Sequence, residues 1–259
     1  MQKPELRCLG VGDGWPSARN HSAFLFRFRE SSLLIDCGEP VSRLLLQAGV
    51  GYDEIDSIIL SHLHFDHIGG FFMLMQSMWL KRREKQLVVH LPPDGIAPIE
   101  QLLRASCIYD ELLAFRLRFE PLLARQPLSI GQTRVTPFPT SHLATFRELF
   151  SSKYPQDFAA FCFLIEADGL RIGHSADIGA PDDLDPLLSR PLDMLVCELA
   201  HIEVEQLFEH LSSRQIRRIV FVHLSQKQLD RLDHIKSLAE KHLPQVQISF
   251  ATDGQGFPL

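Results

Sequence analysis

The sequence of 259 residues lacks long hydrophobic runs, low-complexity stretches and internal repeats. No apolar run approaches the roughly 18 residues that a membrane-spanning helix needs, and the mean hydropathy is close to zero. The first ten residues lack the apolar core of a secretion signal, which favours a cytoplasmic protein. Because no linker divides the chain, we predict one domain over residues 1–259.

Cysteine is scarce and is not arranged as a disulfide framework. The five cysteines are odd in number, contain no C-x-x-C pair, and lie at positions 8, 37, 107, 162 and 197. A disulfide scaffold is therefore excluded, and we expect reduced, buried thiols.

An excess of basic residues is also missing. The chain has 26 Lys and Arg against 32 Asp and Glu, a formal net charge of −6 with His neutral. Strong non-specific binding of nucleic acid needs a basic excess, so a generic polyanion-binding protein is excluded. Two short basic clusters remain, at residues 81–83 and 214–218, and both are predicted to be solvated surface.

Short strands and helices follow one another along the whole chain. At residues 23–28 every second residue is Phe, which predicts a strand. Apolar residues spaced by three predict an amphipathic helix over residues 226–243, and a long apolar segment predicts a helix over residues 67–83. Strands recur in both halves with helices between them, so we predict an α/β fold with two mixed sheets covered by helices.

Histidine is the residue type that stands out, with 12 copies. Residues 61–67 read SHLHFDH and contain the pattern H-x-H-x-D-H between a predicted strand and a predicted helix. His62 and His64 would point the same way at an extended strand end, so both can bind one divalent cation. Asp66 and His67 offer an oxygen and a nitrogen to a second cation. Such a donor set without sulfur favours zinc, with manganese or iron as alternatives.

Three further candidate ligands each follow a predicted strand: His142, Asp177 and His223. One short motif cannot fill the coordination of two cations, and strand ends are where α/β proteins collect their ligands. Since a carboxylate has two oxygens, Asp177 is the natural ligand to be shared by both cations.

With these residues the sequence resembles the metallo-β-lactamase superfamily, over essentially its whole length. The resemblance implies an αββα four-layer sandwich with two divalent metal ions. It implies one ion on His62, His64 and His142, a second on Asp66, His67 and His223, and Asp177 bridging the two. It also implies that Asp36 is the buried carboxylate that supports the ligand loop.

Within that superfamily the chain is most similar to the ribonuclease Z and cyclic-phosphate phosphodiesterase branch. The similarity rests on a glycine-rich opening at residues 9–16, on Glu198 with the nearby His201, and on His223 followed by Leu-Ser. Enzymes of this fold that hydrolyse β-lactams usually carry a Cys ligand, and Cys162 and Cys197 do not lie at that position. The stretch between His142 and Asp177 leaves no room for the long tRNA-gripping arm of ribonuclease Z, which disfavours a long tRNA as partner.

The resemblance implies a hydrolase in which metal-bound hydroxide attacks a small or nucleotide phosphodiester. Two cations would lower the pKa of a shared water to about 7. Asp66 would orient the nucleophile, His201 would assist the leaving group, and Glu198 is predicted to act with His201. The alternatives are a glyoxalase II-like thiolester hydrolase and a ribonuclease Z-like endonuclease that processes RNA 3′ ends. A homodimer remains open, and no membrane partner is expected.

Overall fold

The computed structural model describes residues 4–15 and 17–259. Met1, Gln2 and Lys3 lie outside the described residues, and so does Pro16, the last residue of the glycine-rich opening. The strands are β1 Glu5–Gly10, β2 Ala23–Arg27, β3 Ser32–Ile35, β4 Ser57–Ile59, β5 Leu87–Leu91, β6 Leu117–Pro121, β7 Leu128–Ile130, β8 Thr133–Pro139, β9 Phe161–Ala167, β10 Leu170–His174, β11 Met194–Glu198, β12 Arg218–Val222, β13 Gln247–Phe250 and β14 Gln255–Pro258. The helices are α1 Val41–Gln47, α2 Phe65–Ile68, α3 Phe71–Leu80, α4 Pro93–Ala105, α5 Ala144–Phe150, α6 Val204–Ser212, α7 Gln226–Leu229 and α8 Leu232–His242.

The strands form two mixed sheets of seven strands each. Their orders are β14-β1-β2-β3-β4-β5-β6 and β13-β12-β11-β10-β9-β8-β7. In the first sheet β3 to β6 run parallel, and in the second β10 to β13 run parallel. The predicted pair of mixed sheets is therefore confirmed.

Three apolar layers hold the two sheets and their helices together. Phe24 and Phe26 point into the layer between the sheets, whereas Leu25 points into the layer beneath α1, α3 and α4. This alternation follows from the period of two along a strand. A third layer packs α6 and α8 on the outer face of the second sheet, for example through Phe208 and Ile235. Together the helices and sheets make the expected four-layer αββα sandwich.

Two predicted helices are each broken into two. The helix predicted over residues 67–83 is interrupted at Gly69 and Gly70, where the Gly70 N–H donates to the Cys37 carbonyl instead of continuing the helical ladder. A Cβ at Gly70 would lie 2.7 Å from the Gly38 carbonyl oxygen, so this close approach requires glycine. The helix predicted over residues 226–243 breaks between α7 and α8, where the Arg231 N–H donates to the carbonyl of Gln228.

Two expectations about side-chain burial are wrong. Arg83, predicted to be solvated, is only 1% exposed because its guanidinium donates to the carbonyls of Tyr52, Ile55, Lys85 and Gln86. Cys107 is exposed, while the other four thiols are buried as expected. No helix in residues 4–15 and 17–259 is long and apolar enough to cross a membrane.

The parallel strands bring the candidate residues to one edge of the sandwich. The loops after β4, β10, β11 and β12 leave the carboxyl ends of parallel strands and carry His62, Asp177, His201 and His223. Parallel strands end at the same edge of a sheet, so these loops meet there. The loop after β8 adds His142.

Candidate metal centre

The H-x-H-x-D-H segment runs from the end of β4 into α2 and is held by Asp36. One carboxylate oxygen of Asp36 accepts the Ser61 N–H at 2.8 Å. The other lies 2.7 Å from His67 Nδ1 and 3.0 Å from Ser61 Oγ. Asp36 is fully buried and follows β3, the strand beside β4. It therefore fixes the loop and turns the other ring nitrogen of His67 towards the centre, the position that the resemblance implies for it.

His62, His64 and His142 form the first group of candidate ligands. Their ligand atoms all lie within 4.8 Å of one another. His142 Nε2 is 3.2 Å from His64 Nδ1, and the rings of His62 and His142 have centroids 4.9 Å apart. The structure thus brings together three histidines from two loops as the sequence predicts.

Asp66, His67, Asp177 and His223 form the second group, within the same 4.8 Å limit. Asp177 Oδ2 lies 3.3 Å from His67 Nε2 and 3.5 Å from His223 Nε2. Asp66 Oδ2 lies 3.4 Å from His67 Nε2 and 3.8 Å from His223 Nε2. The second predicted set is therefore also assembled in space.

One carboxylate oxygen of Asp177 faces both groups. Besides its distances to His67 and His223, Asp177 Oδ2 is 3.8 Å from His62 Nε2 and 3.7 Å from His142 Nε2. It thus occupies the position between the two groups that the sequence assigns to a shared ligand.

Several inward-facing atoms of the centre have no hydrogen-bond partner among the described residues. They are His62 Nε2, His67 Nε2, His223 Nε2 and Asp177 Oδ1, all buried. The opposite ring nitrogens are occupied: His62 Nδ1 by Ser61 Oγ at 3.1 Å, His67 Nδ1 by Asp36, and His223 Nδ1 by Ser22 Oγ at 3.0 Å. An unpaired buried polar group costs about 1–3 kcal/mol, and divalent cations would satisfy all four atoms. The donor set therefore fits divalent cations.

The charges of the centre match that donor set. Burial lowers the pKa of His62 well below its usual range and that of His142 to about 4, so both rings present a neutral nitrogen. Burial opposes ionisation of Asp177, but the charges of His223 and His67 outweigh it and hold the pKa of Asp177 well below its usual range. Burial likewise opposes charge on His67, yet Asp177 and Asp36 raise its pKa well above the usual range. A cation bound at His67 Nε2 would replace the proton on that nitrogen and supply the positive charge that these carboxylates need.

Glu198 is the buried last residue of β11, and the partly exposed His201 follows three residues later beside the centre. Glu198 is fully buried, and its carboxylate accepts the N–H groups of Ile178 and His201 and lies 3.0 Å from His201 Nδ1. Burial opposes charge on His201, but the hydrogen bond to Glu198 outweighs it and raises the pKa of His201 to about 9. The His201 side chain is 37% exposed, and its Nδ1 is 3.7 Å from Asp177 Oδ2. Glu198 thus orients a cationic imidazole beside both groups of ligands.

The glycine-rich opening lies against Asp66. A Cβ at Gly14 would be 3.4 Å from Asp66 Oδ2, so the loop passes directly over that carboxylate. Asp253 anchors the opening by accepting the N–H groups of Val11 and Asn20. This contact across the chain could not be read from the sequence.

Sequence reasoning also missed residues that support or border the centre. Ser22 was not among the candidate residues, although its hydroxyl lies 3.0 Å from His223 Nδ1 and orients that ring. Phe146 on α5 was not singled out, yet its ring lies edge-on to His64 with centroids 5.9 Å apart. Helix α5 carries no strong periodic signal, so only the fold reveals this neighbour.

Comparison with known proteins places this constellation in a family. Residues 4–242 match the family model described as "Anti-Pycsar protein Apyc1". The chain belongs to this Apyc1 family.

Curated relatives of this Apyc1-family chain include ribonuclease Z proteins. The ribonuclease Z of Methanocaldococcus jannaschii is 34% identical over 142 residues, which are 53% of this chain and 44% of the relative. That of Bradyrhizobium sp. (strain ORS 278) is 33% identical over 142 residues, 54% of this chain and 47% of the relative. The chain thus spans about half the length of the curated relatives it matches, and the expected kinship with ribonuclease Z is confirmed.

Solved structures resemble the Apyc1-family chain over nearly its full length. The metallo-β-lactamase fold protein YhfI from Bacillus subtilis has a TM-score of 0.77 at 19% identity and covers 99% of this chain and 100% of its own. Human tRNase Z, short form, has a TM-score of 0.72 at 19% identity, with 98% of each chain covered. Zn²⁺-bound PqqB from Methylobacterium extorquens has a TM-score of 0.74 at 15% identity, covering 98% and 100%. The predicted metallo-β-lactamase fold is confirmed.

Proposed function

We propose that this protein is a metal-dependent phosphodiesterase that holds two divalent cations and hydrolyses a small or nucleotide phosphodiester. The observation that carries the proposal is Asp177 Oδ2, which lies within 4 Å of imidazoles from both ligand groups. We assign His62, His64 and His142 to one cation and Asp66, His67 and His223 to the other, with Asp177 shared. Nitrogen and oxygen donors without sulfur favour zinc.

Bound in this centre, the cations would activate water at neutral pH and neutralise charge on the phosphoryl oxygens. Side chains of the protein would orient the attacking water and protonate the leaving group. Asp66, at the mouth beside the glycine-rich opening, accepts a hydrogen bond from the attacking water and orients it. His201 Nδ1 is engaged by Glu198, which leaves Nε2 to donate a proton to the departing oxygen. Glu198 is a positioning residue because it acts through His201. A cavity of about 280 Å³ adjoins His201 and gives the leaving group room.

Two observations favour a phosphodiester over a thiolester. The relatives matched by sequence are named ribonucleases, which cleave phosphodiester bonds. Glu198 and His201 together supply a proton donor for an alkoxide, whereas a thiolate leaves more readily without one. We keep the glyoxalase II-like thiolester hydrolase as the second candidate, since the same ligand set serves either reaction.

Substrate size is suggested by the segment between His142 and Asp177. It contains the seven-residue helix α5 and strands β9 and β10 of the core sheet, which leaves only a short extension beside the centre. With a net charge of −6 the chain also offers no general attraction for a long polyanion. We therefore propose a small or nucleotide substrate over precursor tRNA. One apolar layer joins both sheets, so we also propose that they form a single domain.

Metal analysis and a substrate comparison test this proposal together. We expect two equivalents of metal per chain after zinc reconstitution, and faster turnover of bis-p-nitrophenyl phosphate than of S-lactoylglutathione. Dialysis against a chelator should abolish both metal and activity. Preferential hydrolysis of S-lactoylglutathione would establish the second candidate, and one equivalent of metal or none would contradict the two-cation centre.

A further inference from the structure

We propose that an aromatic recess beside the metal centre, walled by Phe146 and Phe158, stacks the nucleobase of the substrate. This inference rests on the proposed phosphodiesterase function, which places the reacting phosphate at the ligand groups. It identifies the side of the centre that receives the retained half of the substrate, and the residues that recognise it.

The recess is continuous with the centre through His64. It has a volume of about 190 Å³, and its apolar walls are Leu63, Leu143, Phe146 and Phe158. His64 lines it as well, and the His64 ring meets the Phe146 ring at 70° with centroids 5.9 Å apart. A group bonded to a phosphate at the centre therefore reaches the recess directly.

His142 lies between His64, which lines the recess, and His201. His64 contacts His142, and His142 in turn contacts His201, with ring centroids 5.1 and 4.6 Å apart. If the leaving oxygen departs beside His201, the other substituent of the phosphate extends towards His64. The recess thus receives the group that stays on the phosphate.

The chemistry of the recess suits a flat heteroaromatic ring. Phe146 and Phe158 supply two aromatic rings for stacking. Gln156 and Asp94, one oxygen of which accepts the Asp157 N–H, add polar groups that suit the edge of a base. Proteins that hold single bases use this combination of aromatic stacking and polar edge contacts. An acyl chain would leave those polar groups without a role.

The wall that carries Phe158 is pre-organised. Arg147 donates from Nη2 to the Asp157 carbonyl at 2.6 Å, and Asp94 accepts the Asp157 N–H at 2.5 Å. These contacts tie the segment after α5 to both α5 and the start of α4. Phe158 has φ +48°, a conformation that is unfavourable for a side chain of its size. Such conformations are found at ligand clamps, where the surrounding contacts hold them in place.

Two matched substrates measure the contribution of the base. The p-nitrophenyl esters of thymidine 5′-phosphate and of 2-deoxyribose 5-phosphate share the leaving group and differ in the base alone. We expect kcat/KM to be higher for the thymidine ester by roughly 5- to 150-fold, the contribution of stacking one base. Phe146→Ala should remove most of this ratio, because it should lower kcat/KM for the thymidine ester far more than for the baseless ester. Phe146→Tyr should restore the ratio.

Leu149→Ala is the control variant, since Leu149 lies on the same helix, is 65% exposed and does not line the recess. It should change neither rate. Phe158→Ala provides a second wall variant if Phe146→Ala fails to fold. A ratio near one in the wild type, or an unchanged ratio in both wall variants, would overturn the inference while hydrolysis of the baseless ester upholds the proposed function. An equal gain from an octyl ester would show a general apolar contact and also contradict base recognition.

Binding of products separates the two proposals further. Calorimetry on the zinc-loaded protein should show tighter binding of thymidine 5′-monophosphate than of 2-deoxyribose 5-phosphate, and Phe146→Ala should equalise them. This readout tests the recess even if neither ester is hydrolysed, an outcome that would refute the phosphodiesterase. Equal binding of the two products by the wild type would refute the recess.

Discussion

The buried floor of the centre and its exposed rim are built in different ways. On the floor, His62, His67, Asp177 and His223 are at most 2% exposed, and the outer nitrogen of each histidine is fixed by a hydroxyl or a carboxylate. At the rim, Phe146 is 46% exposed and is positioned by its own short helix. Buried polar atoms must be satisfied, so the floor tolerates few residue types. The exposed rim is under no such constraint, which would allow substrate choice to differ while the proposed cation ligands stay the same.

We expect the largest effect on metal binding and activity from substitution of Asp177. Asp177→Ala removes the one oxygen that faces both ligand groups, so at least one metal and most of the activity should be lost. The loss should exceed the roughly 10–100-fold that removal of an outer-shell partner causes. Elemental analysis and turnover of bis-p-nitrophenyl phosphate measure both effects.

The matched control is Asp182→Ala, since that side chain is 86% exposed and lies five positions along the same loop. His174 is a poor control despite its proximity, because it is buried and accepts the Ala176 N–H at 3.0 Å. Retention of two metals by Asp177→Ala would show that the shared-ligand assignment is wrong.

His201 lies between the buried floor and the exposed rim, and its substitution tests whether it acts in catalysis or in metal binding. His201→Ala should keep both metals but lower the rate by about 10²–10⁴-fold with a poor alkoxide leaving group, the usual contribution of general acid catalysis. With p-nitrophenolate, which leaves without a proton, the loss should be much smaller. Steady-state rates on the two kinds of ester measure this contrast.

The exposed Lys236 on α8 does not line the cavity beside His201 and provides the control, so Lys236→Ala should match the wild type on both esters. Loss of a metal in His201→Ala would instead place His201 among the ligands, beside His142 and Asp177, with which it forms a third close group.

Substitution of Asp36 tests whether metal affinity depends on the side chains that hold the ligand histidines in place. Asp36→Asn keeps the size of the side chain but removes the negative charge beside His67 Nδ1. Metal affinity should fall about 10–100-fold, as for other outer-shell carboxylates. Competition with a chromogenic chelator gives the affinity, and circular dichroism checks the fold. Unchanged affinity in a folded variant would refute the supporting role.

Ser22 should give the smallest effect. Ser22→Ala removes one neutral hydrogen bond to His223, and a contribution of about 0.5–1.5 kcal/mol corresponds to roughly a 2- to 12-fold loss of metal affinity. The same chelator competition measures it, with Ser17→Ala on the exposed opening as control. An effect as large as that of Asp36→Asn would mean that the opening itself, and not one hydroxyl, positions His223.

The floor was largely predictable because its chemistry is local in sequence or bound to strand ends. H-x-H-x-D-H places four candidate ligands within six residues, and His142, Asp177 and His223 each follow a recognisable strand. The rim was not predictable. Helix α5 is short, its residues are all exposed or half-buried, and the aromatic neighbour of His64 lies far away in sequence.

The difference between local and long-range contacts also explains why two predictions about the fold were wrong. A run of apolar residues predicted one helix over residues 67–83, but the interruption at Gly70 depends on the Cys37 carbonyl, a partner from another loop. Arg83 looked solvated because the carbonyls of Tyr52 and Ile55, which accept from it, come from a distant loop. Local patterns carry no information on such partners.

The sequence by itself determined the fold class and the set of candidate ligands, because periodicity and donor chemistry are properties of short segments. The tertiary structure alone decided which oxygen of Asp177 faces both groups, which nitrogen each histidine turns inward, and which aromatic side chains border the centre. Those choices depend on hydrogen bonds and contacts between strands and loops far apart in the chain, and these exist only once the two sheets have packed together.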